Sequence, residues 1–247
     1  PPGDLAAMKA WRDRLRQVPA TPASAGTFDV VIVGGGIAGC AAALAADERG
    51  LSVALLQDRP VLGGNASSEV RVHTLGIYGQ GQALLEKIDT KHYPNGSAES
   101  LADEAKRHRN MEAAKHLKLF LGWRATGVIV EGKRIRSVDA FQVESGKTRR
   151  FEAPVFIDAT GDGWIGYWAG AEYRYGREPK SEFGEAWDRY GELWSPEKAD
   201  RRVMGTSVLW NSREGESPST FPDVPWAVEV AKGKPAVQGE WQWEYSA

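Results

Sequence analysis

The sequence predicts an α/β fold in which helices flank a parallel sheet, with an antiparallel three-stranded meander as crossover and the start of a second region. Three observations carry this. A strand, glycine turn, helix and strand follow one another within about 30 residues, the size of a βαβ unit. Three strand-like stretches separated by hairpin signals come later. A short, strongly apolar run then returns as another buried strand.

Taken in order, Asp4 to Gln17 read as a short charged helix and Val18 to Gly26 as a Pro/Ala/Ser/Thr linker. Phe28-Asp-Val-Val-Ile-Val33 is short, apolar and β-branched, which predicts a buried strand. Ile37 to Arg49 is alanine-rich and helical, stopped by Gly50. Leu51 to Leu56 forms the next strand. Arg59 to Gln80 is a long glycine- and serine-rich connection, a length that points to function. Ser97 caps a polar helix that runs to Leu117. The meander comprises Trp123 to Glu131, Arg134 to Glu144 and Lys147 to Phe151, and Val155 to Asp158 is the returning strand. The domain division expected is 1–26 as N-terminal helix and linker, 27–173 as nucleotide-binding domain, and 174–247 as part of a substrate or cap region.

Composition narrows the function classes. The 247 residues carry a formal net charge of -2, which gives no electrostatic reason to expect nucleic acid or an anionic membrane surface as partner. No apolar run reaches the roughly 18 to 20 residues that span a bilayer. Cys40 is the single cysteine, so no internal disulfide framework or cysteine-built zinc site is expected. His73, His92, His108 and His116 lack metal-ligand spacing, so no metal is expected, and His108 and His116 read as surface residues. The chain opens on Pro1 and closes without an obvious final element, as a processed chain or a piece of a longer product would. A cytoplasmic protein is expected, with export left open by that start; oligomeric state is not legible.

Gly34-Gly-Gly-Ile-Ala-Gly39 fits G-x-G-x-x-G between a buried strand and a helix. In this fingerprint Gly34 permits the tight turn, Gly36 lets a pyrophosphate approach the backbone, and Gly39 allows the helix to pack closely on the sheet. The helix N-terminus offers free N–H groups to phosphate. A Rossmann-like dinucleotide site follows. The second strand ends at Gln57, 23 positions after Gly34, where a ribose-binding carboxylate is usual. Gln57 can accept from a ribose hydroxyl through its carbonyl, and Asp58 is the alternative. Arg59 would suit a 2′-phosphate, so an NAD(P)-binding module stays open at this turn.

Two further motifs decide between cofactors. Arg59-Pro-Val-Leu-Gly-Gly-Asn-Ala-Ser-Ser68 places a glycine doublet, Gly63 and Gly64, just after the second strand. Asp158-Ala-Thr-Gly-Asp-Gly163 follows the returning strand. Both resemble signatures of the two-dinucleotide-domain flavoproteins, the superfamily that includes succinate dehydrogenase and fumarate reductase flavoproteins. Gln57 to Arg71, Tyr173 to Gly184 and Met204 to Ser207 look like a family of bacterial FAD-dependent oxidoreductases of largely unassigned substrate. The resemblance implies FAD as cofactor and says little about substrate; the function expected is hydride transfer on a small polar molecule. It carries over Gly34, Gly36, Gly39, Gln57, Arg59, Gly63, Gly64, Asn65, Ser67 and Ser68 as cofactor-binding positions. It adds Thr160, Gly161 and Asp162 from the A-T-G motif, and Ala125 as the backbone position that meets adenine. Asp162 reads equally as the cap of a helix before Trp164. A truncated nucleotide-binding module is the alternative.

His73 is the candidate catalytic group, as base, as substrate orienter, or as a covalent flavin anchor by analogy with the His-Thr pair of succinate dehydrogenases, although it reads more readily as a histidine capping a buried loop. Glu69 and Arg71 are expected to pair with each other, with phosphate as the other partner open to them. Arg174 and Arg177, with Tyr173 and Tyr175, suit an anionic substrate or a domain interface. Cys40 reads as a buried structural thiol. The late tryptophans read as core residues, with carbohydrate stacking or a protein interface as the other possibility.

Overall fold

A computed structural model describes residues 4–19, 21–70, 72–74, 79–91, 97–184 and 196–203, with short stretches at 216–218, 220, 223–226, 236–237 and 244–245. The chain divides into two compact units, Pro1–Glu172 and Tyr173–Ala247.

The first unit opens with α1 (Leu5–Leu15), capped by Asp4, whose carboxylate accepts the Ala7 N–H at 2.8 Å. Then come β1 (Ala23–Thr27), β2 (Val30–Val33), α2 (Ile37–Asp47) and β3 (Val53–Gln57). A 3-10 turn at Gly64–Ala66 precedes α3 (Gln82–Leu85), α4 (Ala98–Glu112) and β4 (Leu117–Leu121). The meander is β5 (Trp123–Glu131), β6 (Arg134–Gln142) and β7 (Thr148–Glu152), followed by β8 (Val155–Asp158) and the short α5 (Trp164–Trp168).

The sheet β4-β3-β2-β8 is wholly parallel. Its central strands alternate between two cores, as side chains on opposite faces of a strand must. Val30, Ile32, Val53 and Leu55 pack with Cys40, Ala43, Ile88 and Met111 on the helical side. Val31, Val33, Ala54 and Leu56 pack with Val138, Ala140, Phe151 and Ile165 on the other. The meander therefore covers the face that the helices leave open, and Phe120 meets Phe151 edge-on at 4.8 Å between ring centres.

The α/β class, the parallel sheet and the crossover meander are as expected, but two strands differ from the sequence reading. The segment read as linker contains β1, an edge strand parallel to β7. Its sequence, Ala-Ser-Ala-Gly-Thr, has no apolar alternation; it is held by backbone pairing to a strand more than 120 residues away. The helix read through to Leu117 stops at Glu112, and Leu117–Leu121 is β4 beside β3. Leu117, Leu119 and Leu121 alternate at period two, and the sheet edge offered by β3 selects that period over the helical one.

In the second unit, Arg177 and Asp200 form an antiparallel bridge, and Ala236–Val237 pairs with Glu244–Tyr245. Arg177 Nη2 lies 2.5 Å from Asp200 Oδ2, and the Arg202 N–H donates to Asp200 Oδ1 at 2.9 Å. These donors hold the Asp200 carboxyl down at about 2 from an ordinary 3.8. A folded-state pKa below the unfolded one gives stability that is complete above about pH 4 and is lost as pH falls towards 2. A carbon-detected NMR titration should find the Asp200 midpoint near 2, returning to the ordinary carboxylate range in Arg177→Ala.

Candidate functional site

Three loops at the carboxyl ends of β2, β3 and β8 pack against one another. The first is the glycine turn after β2. Gly34 has φ +105°, and a Cβ there would sit 2.2 Å from the Ala159 carbonyl oxygen. A Cβ on Gly39 would sit 1.8 Å from the Gly34 carbonyl oxygen, so helix and strand touch through backbone alone. Gly36 differs: it is the residue before α2, with φ -67°, and the nearest atom to its Cβ position is Gly64 Cα at 4.0 Å. Space therefore stands over the N-terminus of α2, where its N–H groups carry partial positive charge.

The second loop is the doublet. Gly36 and Gly63 form a parallel bridge, and the Gly63 N–H donates to the Gly35 carbonyl at 2.7 Å. The doublet lies directly on the first glycine turn. Beneath it sits Arg107 of α4, 1% exposed, a residue that sequence reading passed over. Its Nε donates to the Ile88 carbonyl at 2.6 Å and its Nη1 to the Leu62 carbonyl at 2.9 Å; Nη2 reaches the Ala66 carbonyl at 3.4 Å. Ser68 N–H donates to Glu104 Oε2 at 2.7 Å, a second tie between the doublet loop and α4.

The third loop is the A-T-G segment. Thr160 Oγ1 donates to Asp158 Oδ1 at 2.7 Å and accepts the N–H of Trp164 at 3.2 Å. Asp158 Oδ2 accepts the N–H of Ile165 and Gly166, at 2.8 and 3.1 Å. The residue before α5 is Gly163, and Asp162 does not cap the helix backbone; its carboxylate accepts from the Trp164 indole at 3.3 Å. Thr160 and Asp158 do the capping because their oxygens face the first turn.

Beside these loops lies a cavity of about 520 Å³. Gly34, Gln57, Arg59, Ala125, Thr160 and Asp162, all expected at the site, line it, with Asp58. Gly36, Gly39, Gly63, Gly64, Asn65, Ser67, Ser68, Gly161 and His73 do not. Trp123, Trp164 and Trp168 supply flat apolar walls. Trp164 is 43% exposed and Trp226 72%, so neither is the core residue expected, and Trp187, Trp194, Trp210, Trp241 and Trp243 lie outside the described residues. Four guanidinium side chains, of Arg12, Arg16, Arg59 and Arg124, line the cavity against two carboxylates, of Asp58 and Asp162. That balance suits an anionic ligand, although the whole chain is weakly acidic.

Several side chains have protein partners instead of an open face. Gln57 is 7% exposed; its Oε1 accepts the Gly35 N–H at 2.8 Å and its Nε2 donates to the Val61 carbonyl at 3.0 Å. It ties the glycine turn to the doublet loop, and Asp58 is the exposed neighbour. Gln57→Leu should cost about 1–3 kcal/mol in urea unfolding, because it leaves a buried N–H without an acceptor. Ser67 is fully buried, with its hydroxyl accepting the Glu69 N–H at 3.2 Å. Glu69 pairs with Arg59 at 3.2 Å, and Arg71, the partner expected for it, lies outside the described residues. His73 is half-buried on the loop after the doublet. Cys40 is buried, its thiol pushed up to about 12 by desolvation, which makes it inert as a nucleophile. Arg174 pairs with Glu182 and Arg177 with Asp200, so both guanidiniums are engaged within the second unit.

Among the described residues no group of three or more His, Cys, Asp or Glu could hold a metal, and no helix is long and apolar enough to cross a membrane.

Residues 29–244 match the family model described as FAD dependent oxidoreductase. Kynurenine 3-monooxygenase of Yarrowia lipolytica (strain CLIB 122 / E 150) is 29% identical over 118 residues, 47% of this chain and 24% of that protein. Among solved structures, L-proline dehydrogenase from P.horikoshii is 25% identical with a TM-score of 0.35, covering 55% of this chain and 22% of that one. Thermovibrio ammonificans THI4 is 18% identical with a TM-score of 0.44, covering 70% and 73%. The chain spans about a quarter of the length of the curated relative it matches. With a family model covering most of its length and the glycine turn, doublet and A-T-G loop assembled at one end of a parallel sheet, the chain belongs to the FAD dependent oxidoreductase family, whose cofactor is FAD.

Proposed function

We propose that this chain holds FAD on the three assembled loops and that the protein oxidises or reduces a small polar molecule by hydride transfer. The observation that carries the reading is the free space over Gly36, at the N-terminus of α2, where both neighbouring glycines of the fingerprint are closed by backbone. An Ala159 carbonyl fills the place beside Gly34, and the Gly34 carbonyl fills that beside Gly39. Packing alone gives no reason for a glycine at Gly36, whereas a pyrophosphate does.

In this reading the N–H groups at the start of α2 and those of Gly64 and Asn65 serve the pyrophosphate, while the Gly63 N–H holds the doublet against the Gly35 carbonyl. Ser67 and Ser68 hold that loop in place through Glu69 and Glu104. Asp58 takes the ribose, since the polar atoms of Gln57 are already bonded within the protein. The backbone at Ala125 meets adenine, and Thr160, Gly161 and Asp162 border the phosphates, with Arg59 adding positive charge. FAD supplies a two-electron hydride acceptor or donor. His73, after the doublet, orients substrate or carries its proton. The region 174–247 contributes to the substrate side of the protein.

The reading is tested by loading the chain with FAD and following anaerobic bleaching of the visible flavin bands with a panel of polar alcohols, amines and hydroxy acids. Bleaching by one chemical class supports the reading and names that class. Tight binding of NADPH with no binding of FAD would overturn it.

A further inference from the structure

Part of the cavity wall comes from α1, which precedes the first βαβ strand and lies outside the family match beginning at residue 29. Met8, Arg12 and Arg16 all line the cavity. They are spaced four residues apart, so they form one stripe along the helix. The Arg16 guanidinium lies 4.3 Å from the centre of the Phe141 ring on β6, a cation–π contact that seats the end of α1 against the meander. Neither Arg12 nor Arg16 forms an ion pair with a carboxylate among the described residues. Two arginines on one cavity that tryptophans and the carboxylate residue Asp58 also line are complementary to a group that combines phosphate, a ribose and a flat base.

We propose that α1 is a clasp for the adenosine diphosphate half of the cofactor, with Arg12 and Arg16 as its binding residues; this rests on the assignment of FAD to the three loops. The clasp acts on the end of FAD that every adenine dinucleotide shares, so its removal affects ADP and FAD alike and spares ligands that lack adenosine.

The test compares the full chain with its Arg12→Ser/Arg16→Ser double variant, and with Arg14→Ser as a control, since Arg14 is exposed and does not line the cavity. FAD and ADP binding are measured by isothermal titration, with FMN alongside and the ligand-free melting temperature as a check on folding. The expected result is a loss of about tenfold or more in affinity for both FAD and ADP in the double variant. The Arg14→Ser chain keeps full affinity, FMN binding does not change and the melting temperature is retained. Equal FAD affinity in all three chains would overturn the clasp while leaving the FAD assignment standing. An equal loss in Arg14→Ser would overturn it as well, because general charge would then explain the effect. Failure of the unaltered chain to bind FAD would overturn the FAD assignment, and the clasp with it.

Discussion

Gly36→Ala should lose about 100-fold in FAD affinity while the ligand-free chain stays within about 1 kcal/mol of its original stability. The added methyl meets no protein atom closer than 4.0 Å, and φ at -67° suits alanine, so the folded chain accommodates it. What it occupies is the space over the α2 N-terminus, where the proposed function puts the pyrophosphate. Gly34→Ala is the informative contrast. Its Cβ would lie 2.2 Å from the Ala159 carbonyl oxygen on a backbone at φ +105°, so the strand ends must separate. That substitution should cost about 3 kcal/mol or more of stability and lose FAD as a consequence. Urea unfolding beside isothermal titration separates the two. If Gly36→Ala binds FAD normally, the pyrophosphate does not approach at that residue.

Arg107→Met should destabilise the chain by about 3–5 kcal/mol, the largest effect expected of any side chain remote from the cavity. The guanidinium ties the carbonyls of Leu62, Ile88 and Ala66, and it lies against the face of Gly63 where a Cβ would come 2.4 Å from Nη1. Methionine fills part of the volume and satisfies none of those acceptors. Arg107→Lys should recover little, because one ammonium cannot reach carbonyls spread across both sides of a planar fork. Hydrogen exchange would localise the damage: amides of the doublet loop should lose protection before those of β2 and β3.

Much of this molecule is written in local pattern. Trp123–Glu131 and Val155–Asp158 are strands over the residues expected, because short runs rich in β-branched and aromatic residues, bounded by glycine or proline turns, specify them without help from distant chain. β1 and β4 were not legible, for opposite reasons. Ala23–Thr27 has almost no pattern, and its partner β7 is remote; Leu117–Leu121 has a pattern that fits the end of a helix as well as a strand. The site divides in the same way. Gly34, Thr160 and Asp162 are named by motifs contiguous in sequence and Ala125 by the family resemblance, and all four border the cavity. Gln57 was found by its spacing, but its side chain faces the Gly35 N–H, an orientation that spacing does not encode. Arg107 was hidden because its helix buries Ser100, Arg107 and Met111 along one side, a stripe too polar to register as a core face. The share of α1 in the cavity wall was likewise not readable, since it depends on how a helix before the fold lies back across the meander.

The most direct test of the account is the visible spectrum of the purified chain after incubation with FAD and gel filtration, read again on the supernatant after denaturation. The account predicts flavin bands that travel with the protein in equimolar amount and are released intact into the supernatant. A chain that emerges colourless, although folded by circular dichroism, would contradict the assignment of FAD to the glycine turn, the doublet and the A-T-G loop.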